Sequence, residues 1–304
     1  MKKLLALMAL AAPAAIAATT TPMWLRDVKI SPDAHTIAFC YKGDIWTVPT
    51  SGGQATRLTS GASYEANPVW SPDGKKIAFA SDRNGNMDIY IVDATGGAPV
   101  RLTYNSASEI PEAFSPDGSS VLFSAAIQDP AASALFPSAR MTELYAVPAA
   151  GGATTRVLAT PARYISWEPG GLTFLYQDVK GFEDEWRKHH TSGVTRDIWR
   201  YDTRTGTHTN ITHRRGEDTN PAAGQGKNYF LSERDGGSMN VYALADDGHA
   251  TAVTHFTTHP VRFLSHGADG TLCFTYDGEI YTMREGAEPA KVAISLIDLS
   301  LIHI

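Results

Sequence analysis

One triplet recurs six times along the chain: an acidic residue or Asn, then a β-branched residue or Leu, then an aromatic. It stands at Asp44-Ile45-Trp46, Asp88-Ile89-Tyr90, Glu143-Leu144-Tyr145, Asp197-Ile198-Trp199, Asn240-Val241-Tyr242 and Glu279-Ile280-Tyr281. The interval, roughly 40 to 55 residues, is the period of a four-stranded propeller blade. Upstream of the first three copies a second motif repeats: Ile30-Ser31-Pro32-Asp33, Trp70-Ser71-Pro72-Asp73-Gly74 and Phe114-Ser115-Pro116-Asp117-Gly118. Proline presets φ for a turn, and Asp-Gly tolerates the positive φ of a tight reversal. Short apolar strands follow at Thr36 to Tyr41, Lys76 to Ser81 and Ser120 to Ala125. After the triplet comes another turn, often Gly-Gly (Gly52-Gly53, Gly96-Gly97, Gly151-Gly152), and a closing strand such as Arg57-Leu58-Thr59 or Arg101-Leu102-Thr103. In the later copies the first turn decays to Trp167-Glu168-Pro169-Gly170-Gly171, Ala223-Gly224-Gln225-Gly226 and Gly267-Ala268-Asp269-Gly270, but the register holds.

Six such units predict an all-β, six-bladed β-propeller of four-stranded antiparallel blades. A lone blade exposes two faces and two edges, and radial stacking covers both. A β-sandwich would space its strands similarly but gives no reason for one hairpin chemistry to recur six times. The ring is expected over residues 24–294. No strand is left over to pass between the first and last blades, so closure is expected without strand exchange, through apolar contacts. Insertions at 127–140 and 178–196 break the period; on a ring they collect on one face, where partners touch.

The first 17 residues read as a signal peptide. Lys2 and Lys3 precede an apolar stretch from Leu4 to Ala12 and the small-x-small site Ala15-Ile16-Ala17. That stretch is too short to span a bilayer, so a periplasmic or secreted chain with no integral membrane segment is expected. A net charge of -6 and a pI near 5.9 give no footprint for nucleic acid. Cys40 and Cys273, the only two cysteines, sit among apolar neighbours and read as buried thiols.

No nucleophile elbow, His-Glu-x-x-His helix or phosphate-binding loop is present, so no catalytic residue, cofactor or metal site is assigned. Asp82 to Asp88 has oxygen-bearing side chains at alternate positions, like a calcium loop. Met87 stands where such a loop needs Gly, and an Asn84-Gly85 hairpin turn explains the segment better. His189 and His190 would point to opposite faces of an extended strand, which is poor for shared ligation. The charged run Glu183 to His190 reads instead as packing on a neighbouring blade or another domain. Glu185, Trp186, Arg187, His189 and His190 are the candidate contacts to a peptide or a further domain.

The Ser-Pro-Asp-Gly turns resemble the WD-like repeats of TolB and of tricorn-type propellers. More selective are Gly181-Phe182-Glu183-Asp184-Glu185-Trp186-Arg187-Lys188-His189-His190-Thr191-Ser192, Val194-Thr195-Arg196-Asp197-Ile198-Trp199 and Thr258-His259-Pro260-Val261-Arg262-Phe263-Leu264. Together they resemble the N-terminal propeller region of bacterial tricorn protease homologues, from about Trp24 to Ile294. The resemblance implies a larger, homo-oligomeric serine endopeptidase whose propellers select peptides or unfolded polypeptides. Its catalytic domains would lie outside these residues, leaving this chain inactive alone. The apolar stretch 295–304 fits no seventh blade and is expected to lie outside the ring, as at a truncation. Alternatives are a stand-alone TolB-like propeller for protein–protein contacts and the propeller of a prolyl-oligopeptidase-like hydrolase.

Overall fold

In each of the six repeats the triplet's aromatic lies opposite a second aromatic on the preceding strand. The register pairs Phe39 with Trp46, Phe79 with Tyr90, Phe123 with Tyr145, Tyr176 with Trp199, Phe230 with Tyr242 and Phe274 with Tyr281. Opposed aromatics are a favourable cross-strand pair, worth about 0.5–1.5 kcal/mol beyond area burial. The triplet's first residue is tied to the outermost strand: Arg57 to Asp44 at 2.6 Å, Arg101 to Asp88 at 2.8 Å, Arg156 to Glu143 at 3.1 Å and Lys291 to Glu279 at 2.5 Å. In the fourth repeat Asn210 serves Asp197 at 3.1 Å. Its middle residue donates its amide to the threonine two positions past the outermost strand, Ile45 to Thr59 and Ile89 to Thr103. The recurring letters are therefore the three places where a blade's strands are locked together.

These locks build six four-stranded antiparallel sheets in a computed structural model that describes residues 19–127, 141–181, 188–224, 226–245 and 247–297. Blade 1 comprises Arg26–Ile30, Thr36–Tyr41, Asp44–Pro49 and Thr56–Arg57; blade 2, Glu65–Trp70, Lys76–Ser81, Asp88–Asp93 and Val100–Arg101. The innermost strands of blades 3 to 6 are Glu109–Phe114, Ala162–Trp167, Asp218–Ala223 and Arg262–His266. Each innermost strand touches its two neighbours, closing a ring about an axis. The second strands are almost continuously buried, because blades cover both of their faces. The ring is a six-bladed propeller, and every blade is made of its own consecutive strands.

Its closure is more than apolar contact. Ile294–Ile297 runs antiparallel to Thr19–Thr20 and parallel to Gly53–Gln54 of blade 1, a three-stranded clasp outside the blades. Beneath it Leu25, Val28, Ile280, Val292, Ile294 and Leu296 form one apolar cluster across the blade 6–blade 1 seam. Residues 295–297, expected outside the ring, thus help to fasten it. The proposed signal segment 1–17 and residues 298–304 lie outside the described residues. Cys40 and Cys273 are free and buried. Among the described residues no helix is long and apolar enough to cross a membrane.

Candidate functional site

All six innermost strands carry a β-bulge at the same level, between Arg26 and Lys29, Ala66 and Val69, Pro111 and Ala113, Arg163 and Ser166, Thr219 and Ala222, and Arg262 and Ser265. In five of them a non-glycine residue takes the left-handed conformation: Asp27 (φ 50°), Asn67 (54°), Tyr164 (55°), Asn220 (52°) and Phe263 (55°). Asp and Asn adopt it at modest cost, but for Tyr and Phe it is strained and must be held by the surroundings. The holding groups come from adjacent blades. Asn67 donates its amide to Asp27 (3.4 Å), Tyr164 to Glu112 (2.6 Å) and Asn220 to Gln177 (3.2 Å). The Asn220 side chain both donates to and accepts from the Leu264 backbone at 3.0 Å.

With Glu112 of blade 3, these bulge residues meet on the axis and leave a void of about 20 Å³. That is room for about one water. Burial pushes the Asp27 carboxyl up and the Lys29 ammonium down from their ordinary values.

Two mouths open from the waist. On the turn face, where Pro32, Pro72, Pro116 and Pro169 stand, a funnel of about 380 Å³ is lined by residues of all six blades. Trp70 and Trp167 wall it, their indoles pinned by donation to the carbonyls of Lys29 and Phe114, both 2.9 Å. The opposite, insertion face carries the connections of the two inserted segments and a smaller pocket of about 70 Å³ under blades 4 to 6. Here Lys188, Arg196, Arg262, Glu217 and Glu233 line the opening.

The insertion pair His189–His190 is not on an extended strand, since His189 takes the left-handed conformation (φ 53°), and the two rings divide between solvent and interior. His189 is exposed, whereas His190 is buried with Nδ1 3.0 Å from Glu217. Both histidine amides donate to Glu233 of blade 5, at 2.9 and 3.1 Å. Glu217 also takes Arg196 at 3.3 Å. These contacts lay the end of the blade 4 insertion across blade 5. Glu185, Trp186 and Arg187 lie outside the described residues. His213, His255, His259 and His266 are scattered, and no group of three or more His, Cys, Asp or Glu is placed to hold a metal among the described residues. In the calcium-like segment Asp82 accepts from the Tyr64 amide (2.7 Å), Asn84 bonds the Tyr90 hydroxyl, and Asn86 donates to the Asn105 and Ala107 carbonyls.

The waist residues escape sequence reading because their identities differ from blade to blade. The usable signal is positional: in five blades the left-handed residue lies four positions before the turn serine or its counterpart.

A family model described as the tricorn protease N-terminal β-propeller domain matches residues 22–288. The crystal structure of the tricorn protease superposes with a TM-score of 0.73 at 24% identity, covering 89% of this chain and 26% of that one. Putative TolB from Agrobacterium tumefaciens follows the same fold, with a TM-score of 0.61 at 22% identity over 80% of this chain and 85% of that one. The uncharacterized peptidase YuxL of Bacillus subtilis (strain 168) is 41% identical over 46 residues, 15% of this chain and 7% of YuxL. The chain thus spans a small part of both peptidases.

Proposed function

The chain belongs to the tricorn protease N-terminal β-propeller family, and from that premise we propose that it is the propeller module of an exported, tricorn-like serine peptidase. In this reading it selects and positions peptides at its axis, and catalysis belongs to domains outside these 304 residues. The observation that carries the reading is the pair of mouths about one axis, joined through a waist of bulged strands. The insertion face is the docking side for further peptidase domains. It presents exposed His189, and most of the exposed large apolar residues cluster there: Met23, Trp24, Tyr64, Tyr104 and Met141. Residues 1–17 direct export.

The test is to express the chain with its first 17 residues in a bacterial host and isolate it from the periplasm. The product should start near Ala18, bind unstructured fluorescent peptides by anisotropy, and cleave none of them. Cleavage abolished by a serine-directed reagent would overturn the division of labour. Failure to bind any peptide would overturn peptide handling and favour a TolB-like role in protein–protein contacts.

A further inference from the structure

The turn-face funnel holds one reactive side chain whose place folding does not explain. Lys29 is the only Lys or Arg of the lining, and it reaches from the funnel into the waist. It is half-buried, and its ammonium makes no ion pair or hydrogen bond among the described residues. Burial draws the amine down from its ordinary value, with Glu112, Asp27 and Cys273 opposing through space. None of the three takes it up. Glu112 accepts from Arg163, the Tyr164 amide (2.6 Å) and Ser124 (2.5 Å). Asp27 and Cys273 are both pushed toward their neutral forms by burial.

The rest of the funnel offers apolar contact and no competing chemistry. Glu168 receives Arg200 through two bonds of 2.8 and 2.7 Å, with Thr173 and Asn228 at 2.7 and 2.8 Å. His266 is kept toward its neutral form by burial and stacks on Tyr229. The Trp70 and Trp167 indoles already donate to backbone carbonyls, so they present ring surface alone. The volume of about 380 Å³ falls within the usual range of ligand pockets. A desolvated amine in an apolar pocket is the form in which lysine attacks carbonyl compounds.

We propose that Lys29 is a covalent site: its amine condenses with an apolar or aromatic aldehyde that enters the turn-face funnel and lodges against Trp70 and Trp167. The neutral amine adds through its nitrogen lone pair to the carbonyl carbon. An amine proton passes to the carbonyl oxygen, and loss of water leaves an imine. No oxidant or reductant is consumed. The site does not depend on the peptide-handling reading.

The experiment is competitive labelling of the full chain at pH 7 with 2-naphthaldehyde and cyanoborohydride, which reduces the imine to a stable secondary amine. Adducts are read lysine by lysine by peptide mass mapping. Lowering an amine's ordinary value by one pH unit raises its neutral fraction near neutrality about tenfold. Lys29 should therefore label about tenfold or more faster than Lys75 and Lys76, whose side chains stand in solvent. Its rate should also level off at a lower pH than theirs, and in the urea-unfolded chain the preference should vanish. Lys29→Arg should remove the fast label and leave the surface lysines unchanged. Should that variant fail to fold, the native-to-unfolded ratio in the unaltered chain still decides. Labelling of Lys29 no faster than that of Lys75 overturns the covalent site. Glyoxylate, a charged aldehyde, should show no such preference for Lys29 over Lys75. A preference as large as that of naphthaldehyde would overturn the apolar class of ligand.

Discussion

The two faces of the ring hold their carboxylates in opposite ways. On the turn face Asp33, Asp73 and Asp117 accept from the serine hydroxyl two residues back and the amide two residues on, which draws each below its ordinary value, Asp117 to about 2. On the insertion face Asp44, Asp88, Glu109, Asp178 and Asp218 are pushed up by burial between or within blades, Glu109 to about 7. The aspartates of one face therefore sit in local, solvated turns, and the carboxylates named on the other are buried and joined to distant segments. The difference teaches where each face is vulnerable. Breaking a turn costs one hydrogen-bonded loop, whereas breaking a buried pair strands a charge.

The largest expected effect tests that contrast directly. Blades 2 and 5 share one clamp on the insertion face. Arg83 bonds Ser81 and Glu65 and lies over Phe79 and Tyr90, while Arg234 bonds Ser232 and Asp218 and lies over Phe230 and Tyr242. Glu65 and Asp218 are wholly buried. Removing one partner of a buried pair typically costs about 3–5 kcal/mol. Arg83→Ala should lower stability by that amount in denaturant melts, and Arg234→Ala by less, because Arg214 stays 3.7 Å from Asp218. A loss under 1 kcal/mol in both would show that the insertion face does not depend on its clamps.

The pH dependence of stability sharpens the comparison next. Glu109 is raised by burial first, with the Thr103 hydroxyl opposing and the Asp88 charge adding. The folded state therefore holds this proton more tightly than the unfolded chain. Its contribution is complete below the ordinary value of 4.5 and fades as pH rises through about 7. Between pH 5 and 8 the loss is on the order of 3 kcal/mol. The turn-face aspartates work in the other direction: their contribution is present above the ordinary 3.8 and disappears as pH falls toward 2. In Glu109→Gln the fall in stability between pH 5 and 8 should flatten while the acid limb stays. An unchanged slope would place the titration elsewhere.

The same division explains what could be read from the chain. Ser-Pro-Asp turns announce themselves because their bonds close within five residues: Ser71 bonds Asp73 at 2.6 Å and accepts the Lys76 amide at 2.9 Å. The triplets are legible because cross-strand register repeats the same demand six times. The Arg83 and Arg234 clamps, by contrast, join residues 18 and 16 apart, with nothing in between to mark the pairing. The clasp is hidden further: Ile294–Ile297 meets two-residue strands at Thr19–Thr20 and Gly53–Gln54, too short for any periodicity. At the waist, what recurs is backbone conformation, occupied in turn by Asp27, Asn67, Tyr164, Asn220 and Phe263. Side-chain chemistry that varies this much cannot signal a shared position, and Lys29 stands out only when the axis is assembled around it.

The smallest predicted difference lies within the turn face. The turn glycines share nearly one conformation, with φ of 69° at Gly74, 71° at Gly118 and 67° at Gly171. Each sits over the proline of the preceding blade, but at unequal distances. An added Cβ would lie 4.0 Å from Pro32 at Gly74, 3.5 Å from Pro72 at Gly118 and 2.7 Å from Pro116 at Gly171. Alanine at any of them incurs the left-handed penalty of roughly 1–2 kcal/mol. That penalty is common to the series and cancels in the comparison. What remains is overpacking against a proline ring that cannot rotate away, about 1–3 kcal/mol at Gly171 and close to nothing at Gly74. Urea midpoints at constant m-value should therefore rank Gly74→Ala above Gly118→Ala above Gly171→Ala. Equal midpoints would mean that the blades yield at their turns, and that the funnel rim formed by these prolines is softer than its close packing implies.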